Sequence, residues 1–292
     1  MFETALAKSH DFILCNARLL ERRLFAFLFE DGPREPVISA LRAYQNPDGG
    51  FGSGLEPDKR CLTSQPVDVE IAFHVLDLLD AFDDPMVARA CDYLMSITTS
   101  EGGVPFAVAG VELAPHTPWW VPSNPPTASH NPTGTLLGLL LKHGVKHAWV
   151  ESASRYMRGR MPGFESTQFH DVISVIPFLQ YSPDQAWAET ELERIRGRLA
   201  NSPDIALDPD AAGYAQFPID FAPSPDSPLR SLFSSEMIQL HLRALAARQQ
   251  PDGGWPITWQ AVGPGAEQEW RGWVTIQALL KLRDQWSPNK NR

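Results

Sequence analysis

Gln45-Asn46-Pro47-Asp48-Gly49-Gly50-Phe51 recurs near the other end of the chain as Gln249-Gln250-Pro251-Asp252-Gly253-Gly254-Trp255. Each copy follows an apolar helical stretch, Ala40 to Tyr44 in the first case and Ala244 to Arg248 in the second. A phrase used twice in the same setting marks one supersecondary unit employed several times. Weaker versions stand at Glu101-Gly102-Gly103-Val104-Pro105-Phe106, Met161-Pro162-Gly163-Phe164 and Ala212-Gly213-Tyr214. The spacing of these turns, roughly 40–60 residues, is that of helix-pair repeats. The glycines allow the chain to reverse where a Cβ would clash, and the aromatic residue can pack back on the hairpin. Gln and Asp supply hydrogen bonds to the backbone exposed at the turn.

The segments between the turns read as helices. Ser64 is placed to cap a helix whose apolar face is Ile71, Ala72, Val75, Leu76, Leu79 and Phe82. Asp84-Pro85 opens the next, with Val87, Ala90, Cys91, Leu94 and Ile97 inward. Asn131-Pro132 opens a helix through Leu136 to Leu141 that stops at Gly144, with Asn131 as its cap. Ser182-Pro183 and Ser235 open two more, and Leu14 to Phe29 forms a helix before the first turn. No sustained period-two alternation occurs, so the expected class is all-α.

Composition narrows the partners. The 292 residues, 43% of them hydrophobic, suffice for a single domain spanning 1–292. With 26 prolines and 20 glycines, long loops must punctuate the helices. A net charge of −10 without a basic run argues against nucleic acid and anionic membrane surfaces. Cys15, Cys61 and Cys91 are too few and too scattered for a disulfide framework or a multi-cysteine zinc site, which suits a reducing cytoplasm. The N-terminus does not read as a signal peptide, and no apolar stretch reaches the ~18–20 residues of a membrane span.

Gln-x-Pro-Asp-Gly-Gly-Phe/Trp after an apolar helix resembles the QW-type repeat of class II terpene cyclases and the glycine-rich repeats of protein prenyltransferase β-subunits. The resemblance covers residues ~34–286 and implies an α/α toroid, here of about six helical hairpins, with an inner and an outer ring of helices around a cavity. In such a fold the glycine-turn loops would lie on one side. Loops 48–64, 101–131, 201–228 and 251–271 carry formal charges of −1, −2, −5 and −2, so together they account for the whole net charge. That acidic face lacks the clustered cations a diphosphate needs. The Asp-x-Cys zinc pattern of the β-subunits is also missing, Asp58-Lys59-Arg60-Cys61 having the wrong spacing. Protein prenyl transfer is therefore not expected, nor an obligate α-subunit, a metal or a cofactor. The cyclases' Asp-x-Asp-Asp acid motif is absent too: Asp208-Pro209-Asp210-Ala211 lacks the last Asp, and its acids read as turn formers.

Candidate residues follow from their positions. Glu56-Pro57-Asp58-Lys59-Arg60, directly after the first turn, reads either as a rigid acid pair at a cavity mouth with Arg60 tuning it, or as a solvated loop with local ion pairs. The segment from His116 to Pro126 is long and irregular, and its Trp119 and Trp120 could bind a substrate or anchor the loop. His130 stands at a helix start, and His170-Asp171 opens the apolar helix through Val172 to Leu179. Glu269, Trp270 and Trp273 precede the last helix, either lining the cavity or forming a packed seam.

The leading reading is a terpenoid cyclase-like protein whose ligand is a small, largely apolar molecule such as an isoprenoid. Glu56, Asp58 or Asp171 would initiate a cyclisation or isomerisation as the acid, with His130 as a further acid–base candidate. Arg60, Trp119, Trp120, His170, Glu269, Trp270 and Trp273 would contact the ligand. Two alternatives stay open: a saccharide-active α/α-barrel enzyme using paired carboxylates, and a non-catalytic binding or scaffold protein.

Overall fold

A computed structural model describes residues 2–286. Its helices run, in chain order, α1 (Phe2–Asn16), α2 (Leu19–Phe29), α3 (Glu35–Arg42), α4 (Pro66–Leu78), α5 (Pro85–Ser96) and α6 (His130–Lys142). They continue with α7 (Ala148–Arg160), α8 (Phe169–Gln180), α9 (Gln185–Leu199), α10 (Pro218–Phe221), α11 (Ser235–Ala247) and α12 (Pro264–Trp286). No strand occurs among the described residues; the two isolated bridges, Gln45 with Phe51 and Lys59 with His116, lie in loops. The all-α expectation holds. No described helix is long and apolar enough to cross a membrane.

The chain forms two compact units, a middle one over Arg34–Ile195 and a terminal one combining the residues up to Pro33 with those from Arg196. In the middle unit α6 is central: Pro132 to Leu140 are all buried, and α4, α7 and α8 pack against it. Gly134 and Gly138 make the α6–α8 approach possible, since a Cβ there would stand 2.3 Å from the Ser174 carbonyl oxygen and 2.4 Å from the Pro177 carbonyl carbon. Facing residues Leu136, Leu137, Leu140, Val172, Val175 and Leu179 are fully buried. In the terminal unit α1, α2 and α11 pack on α12 or on one another around Ile13, Leu20, Leu24, Leu242, Ile276 and Leu279, all 1% exposed or less.

The two glycine turns share one geometry. Gln45 Nε2 donates to the Gly49 carbonyl and Gln249 Nε2 to the Gly253 carbonyl, both at 2.9 Å. The amides of Gly50 and Gly254 donate to Asp48 and Asp252, both at 3.0 Å. Each glutamine also clamps a neighbouring helix: Gln45 reaches the Met86 carbonyl at 3.0 Å in α5, and Gln249 the Ala5 carbonyl at 2.9 Å in α1. Gly49 and Gly253 have φ of 91° and 93°, and a Cβ would lie 2.3 Å from the Arg89 oxygen or 1.9 Å from the Lys8 oxygen. Phe51 and Trp255 are buried as expected. The turn at Gly102-Gly103 repeats the backbone pattern, with the Thr99 amide donating to Gly103 and that of Gly102 to Thr99, both at 2.9 Å.

The other two weak copies do not follow it. Met161–Gly163 is a 3₁₀ turn, and Tyr214 is 52% exposed, where Phe51 and Trp255 are buried.

Several boundaries differ from expectation for identifiable reasons. Ser64 does not cap α4; its hydroxyl donates to Asp48 at 2.7 Å, and the helix begins after Gln65. Asp84 does cap α5 through the Met86 amide. Asn131 is not a cap but a kink inside the start of α6, with ψ of 118°. Ser234, one residue before the expected Ser235, caps α11. The helix expected over Leu14 to Phe29 is broken at Arg18, whose ψ of 163° is extended, so α1 and α2 are separate. Glu269, Trp270 and Trp273 do not precede the last helix but lie within it.

Candidate functional site

The loop after the first glycine turn is not solvated. Glu56, Asp58 and Lys59 are 4%, 2% and 0% exposed, and Asp68, from the first turn of α4, is also fully buried. Lys59 Nζ lies 3.0 Å from Asp68 Oδ2 and 3.3 Å from Glu56 Oε2, and 4.7 Å from the centre of the Trp120 ring. Trp120 in turn stacks on Phe106 with centroids 4.7 Å apart. The Glu56 amide donates to Asp68 Oδ1 at 2.7 Å and the Asp58 amide to Glu56 Oε2 at 3.1 Å.

Burying charge costs several kcal/mol per ion unless pairing compensates, and Glu56 and Asp68 here share the Lys59 ammonium. Burial pulls the Lys59 pKa down, but Asp68 and Glu56 pull it further up, so the ammonium stays charged. Burial pushes the Glu56 pKa up to about 7, with Lys59 opposing the rise and Asp68 and Asp58 adding to it. Lys59 is thus a cation set against Glu56 and Asp68, and the neighbouring Arg60 is exposed.

The irregular loop is pinned to this cluster. The Thr117 amide donates to the Asp58 carbonyl and the Arg60 amide to Pro115, both at 2.9 Å. The Gln65 side chain holds Val108 through both its amide and its carbonyl. The two tryptophans separate: Trp120 is core at 4% exposure, and Trp119 is 47% exposed.

One turn along α4 the setting changes. Val67, Glu70, Ile71, His74 and Leu78 form a half-buried stripe at helical spacing, opposite the buried Val69, Ala72, Phe73 and Leu76. Phe169, His170, Ile173 and Pro177 form a similar accessible stripe on α8. Burial pushes the Glu70 pKa up to about 7, against the pull of a hydrogen bond with the Thr135 hydroxyl and of Lys59. Burial, with Lys142 adding and Asp77 opposing, holds His74 below its ordinary value.

A second group assembles at the N-terminal ends of α6 and α8. Asp171 accepts from the Ser166 hydroxyl at 2.7 Å, and its charge opposes the burial that lowers the pKa of both His130 and His170. His130 stands edge-on to Phe164 at 5.3 Å, and its Nε2 is buried without a hydrogen-bond partner. Glu269, Trp270 and Trp273 belong to the terminal unit and are half-buried. There Trp270 meets Trp259 edge to face at 5.2 Å, and Trp259 meets Tyr214 at 5.7 Å.

A groove of about 640 Å³ lined by Arg34, Asp80, Phe82, Asp83, His143 and Val145 opens beyond the C-terminal end of α4. That end is roughly 15 Å along the helix from Asp68. The groove contains none of the candidate residues.

Sequence reasoning did not single out Lys59, Asp68, Glu70, His74 or Thr135. The available signal was Pro66-Val67-Asp68-Val69-Glu70-Ile71-Ala72-Phe73-His74, in which three ionisable groups interrupt an apolar helix and two of them are four residues apart.

No protein-family model and no curated protein sequence matches the chain. Solved structures do resemble it in fold. A protein from Actinoplanes aligns with a TM-score of 0.58 at 15% identity, over 98% of this chain and all of its own. A point variant of the type II terpene cyclase MstE from Scytonema, in complex with the substrate geranylgeranyl dihydroxybenzoate, aligns with a TM-score of 0.55 at 13% identity, over 97% of this chain and 98% of its own. A second such variant, in complex with the product merosterolic acid A, gives 0.56 at 13% identity, over 98% and 97%. At such identities the likeness bears on fold alone, and the fold is the α/α toroid expected from the repeated turn.

Proposed function

We propose that the protein is a terpenoid cyclase-like isomerase, acting on a small, largely apolar molecule of isoprenoid type, and that Glu70 is its proton donor. The observation that carries this reading is a half-buried carboxyl on the accessible stripe of α4 whose pKa burial raises to about 7. An acid-initiated isomerisation needs a carboxyl that still holds its proton near neutral pH, and burial supplies that. Glu56 has a similar pKa but is engaged by Lys59 and by the backbone beneath the loop, so it supports the site and does not face it.

In the proposed reaction the Glu70 O–H bond breaks and its proton goes to one carbon of a substrate double bond, whose π pair forms the new C–H bond and leaves the other carbon cationic. The cation so formed closes onto a neighbouring double bond, and a proton is then lost from carbon. His74, one turn further on and kept neutral by its surroundings, accepts it. Transfer from His74 back to Glu70 restores the starting state, so the product has the composition of the substrate. Ile71 and Leu78 on α4 and Ile173 and Pro177 on α8 make the half-buried stripes of these helices largely apolar, which favours an isoprenoid over a saccharide.

The test is incubation in D2O with geranylgeraniol, geranylgeranyl diphosphate and squalene, with products read by mass spectrometry. The expected product is an isomer carrying one carbon-bound deuteron delivered by the enzyme. Glu70→Gln should lower its formation at least about 100-fold, the usual contribution of a general acid, while circular dichroism shows the variant folded. Undiminished turnover in that variant would remove Glu70 from the mechanism.

A further inference from the structure

We propose that the groove beyond the C-terminal end of α4 seats a free α-amino acid with an apolar side chain. The groove, of about 640 Å³, lies within 34–195, and Glu70 is not in its lining, so the proposal does not rest on the isomerase reading. Its walls bring together the guanidinium of Arg34, the carboxylates of Asp80 and Asp83, the imidazole of His143 and the apolar Phe82 and Val145.

His143 is held in one orientation. Its ring stacks on Phe82 with centroids 4.1 Å apart and planes 5° from parallel, and its Nε2 meets Asp77 Oδ1 at 2.6 Å. Both oxygens of Asp77 also accept from the Lys142 ammonium, at 2.7 and 2.9 Å. A carboxylate so engaged can only accept, so Nε2 carries the proton and Nδ1 of the neutral ring is an acceptor. Nδ1 lies 3.8 Å from Asp80 Oδ1. That gap is too long for a direct hydrogen bond, but it suits two acceptors that share one donor nitrogen at about 2.8 Å from each. An ammonium fits it, with three N–H donors and a charge opposite to that of Asp80 and Asp83. No three His, Cys, Asp or Glu side chains among the described residues are grouped as a metal ion needs, so an organic cation is the better complement.

Arg34 supplies the second seat. Its Nη1 donates to the Asp80 carbonyl at 3.4 Å, the one hydrogen bond of its side chain among the described residues. The guanidinium fork therefore keeps donors for a carboxylate. Asp80 adjoins both seats, through its carboxylate on the ammonium side and its carbonyl on the guanidinium side. An α-amino acid carries its two charges on one carbon and matches that closeness, while Phe82 and Val145 are left for an apolar side chain. A simple anion would meet Asp80 and Asp83, and a simple amine would leave Arg34 without a partner. The hydroxyls of a saccharide bring no charge of their own, so each bond would have only one ionised partner.

Titration of the isotope-labelled full chain, followed through its amide chemical shifts, tests the seat. The probes are L-leucine, leucinamide (which lacks the carboxylate), 4-methylpentanoate (which lacks the ammonium) and D-glucose. Leucine should shift amides around 80–83 and 143–145 and bind about tenfold more tightly than either analogue, the effect of one charge-assisted bond. Arg34→Gln should weaken leucine by about tenfold and leave leucinamide unchanged. Asp80→Asn keeps a residue that tolerates the φ of 48° found there. It should weaken leucine and leucinamide and leave 4-methylpentanoate unchanged. Equal affinity for leucine and either analogue, glucose binding as tightly as leucine, variants that weaken every probe alike, or no shift of these amides at millimolar leucine would each overturn the seat.

Discussion

Glu56 and Glu70 are both pushed to a pKa of about 7 by burial, but they differ in what else surrounds them. Glu56 has an ammonium at 3.3 Å and two further carboxylates acting on it; Glu70 has a hydroxyl and an accessible face. The Glu70 shift has a consequence for stability. Its folded pKa lies above the ordinary 4.5, so between the two values the folded protein keeps a proton that the unfolded chain has released. The stabilisation is complete below pH 4.5 and is lost as pH rises through about 7. Glu70→Gln has no such proton. The Tm of the native protein minus that of Glu70→Gln should therefore fall as pH is raised from about 5 to about 8. His74, whose lowered pKa makes acid destabilising, is present in both proteins and cancels in the difference. A flat or rising difference would mean that Glu70 is hydrated in the folded state.

At the scale of elements, the α6–α8 contact shows how a glycine's worth depends on what lies above it. A Cβ on Gly138 would meet the Pro177 carbonyl carbon at 2.4 Å and the Phe178 nitrogen at 2.6 Å, all backbone or ring-bearing atoms of α8 that cannot turn aside. Gly159, near the end of α7, has nothing within 4 Å. Alanine favours a helix over glycine by about 1 kcal/mol, while forcing an extra carbon into a closed contact costs about 1–3 kcal/mol. Gly159→Ala should raise the urea midpoint slightly and Gly138→Ala should lower it. Because α6 also carries Thr135, the partner of Glu70, the Gly138 variant should disturb the site while the Gly159 variant leaves it intact.

For the molecule as a whole, each compact unit contains one intact glycine turn, that of Gly49 in the middle unit and that of Gly253 in the terminal unit. Both have φ near +90° and a backbone oxygen where a Cβ would go, so alanine is strained at either place. Gly49→Ala should raise amide exchange mainly within 34–195, and Gly253→Ala mainly outside that range, as expected where stability is apportioned among cooperative units. An equal rise throughout the chain after either change would show that 1–292 opens as a single cooperative domain.

The sequence by itself determined the turn and the class of fold. The repeated phrase encodes its own geometry, because a Gly at positive φ, an Asp two residues before an amide and a Gln four residues before a carbonyl are local relations. Apolar spacing likewise located most helices, although caps slipped where a side chain found a distant partner, as Ser64 did in Asp48. The candidate list included Glu56, Asp58 and Trp120 but not Lys59 or Asp68, which pack with them. Whether an acid is solvated or buried depends on what the chain folds over it: Asp68 from α4, Trp120 from the long loop and Thr135 from α6 come from separate segments. Only the tertiary structure decided that Lys59 pairs with Glu56 and Asp68 and that burial raises the Glu70 pKa, because a pKa is set by lost hydration and neighbouring charge, and neither is a property of adjacent residues.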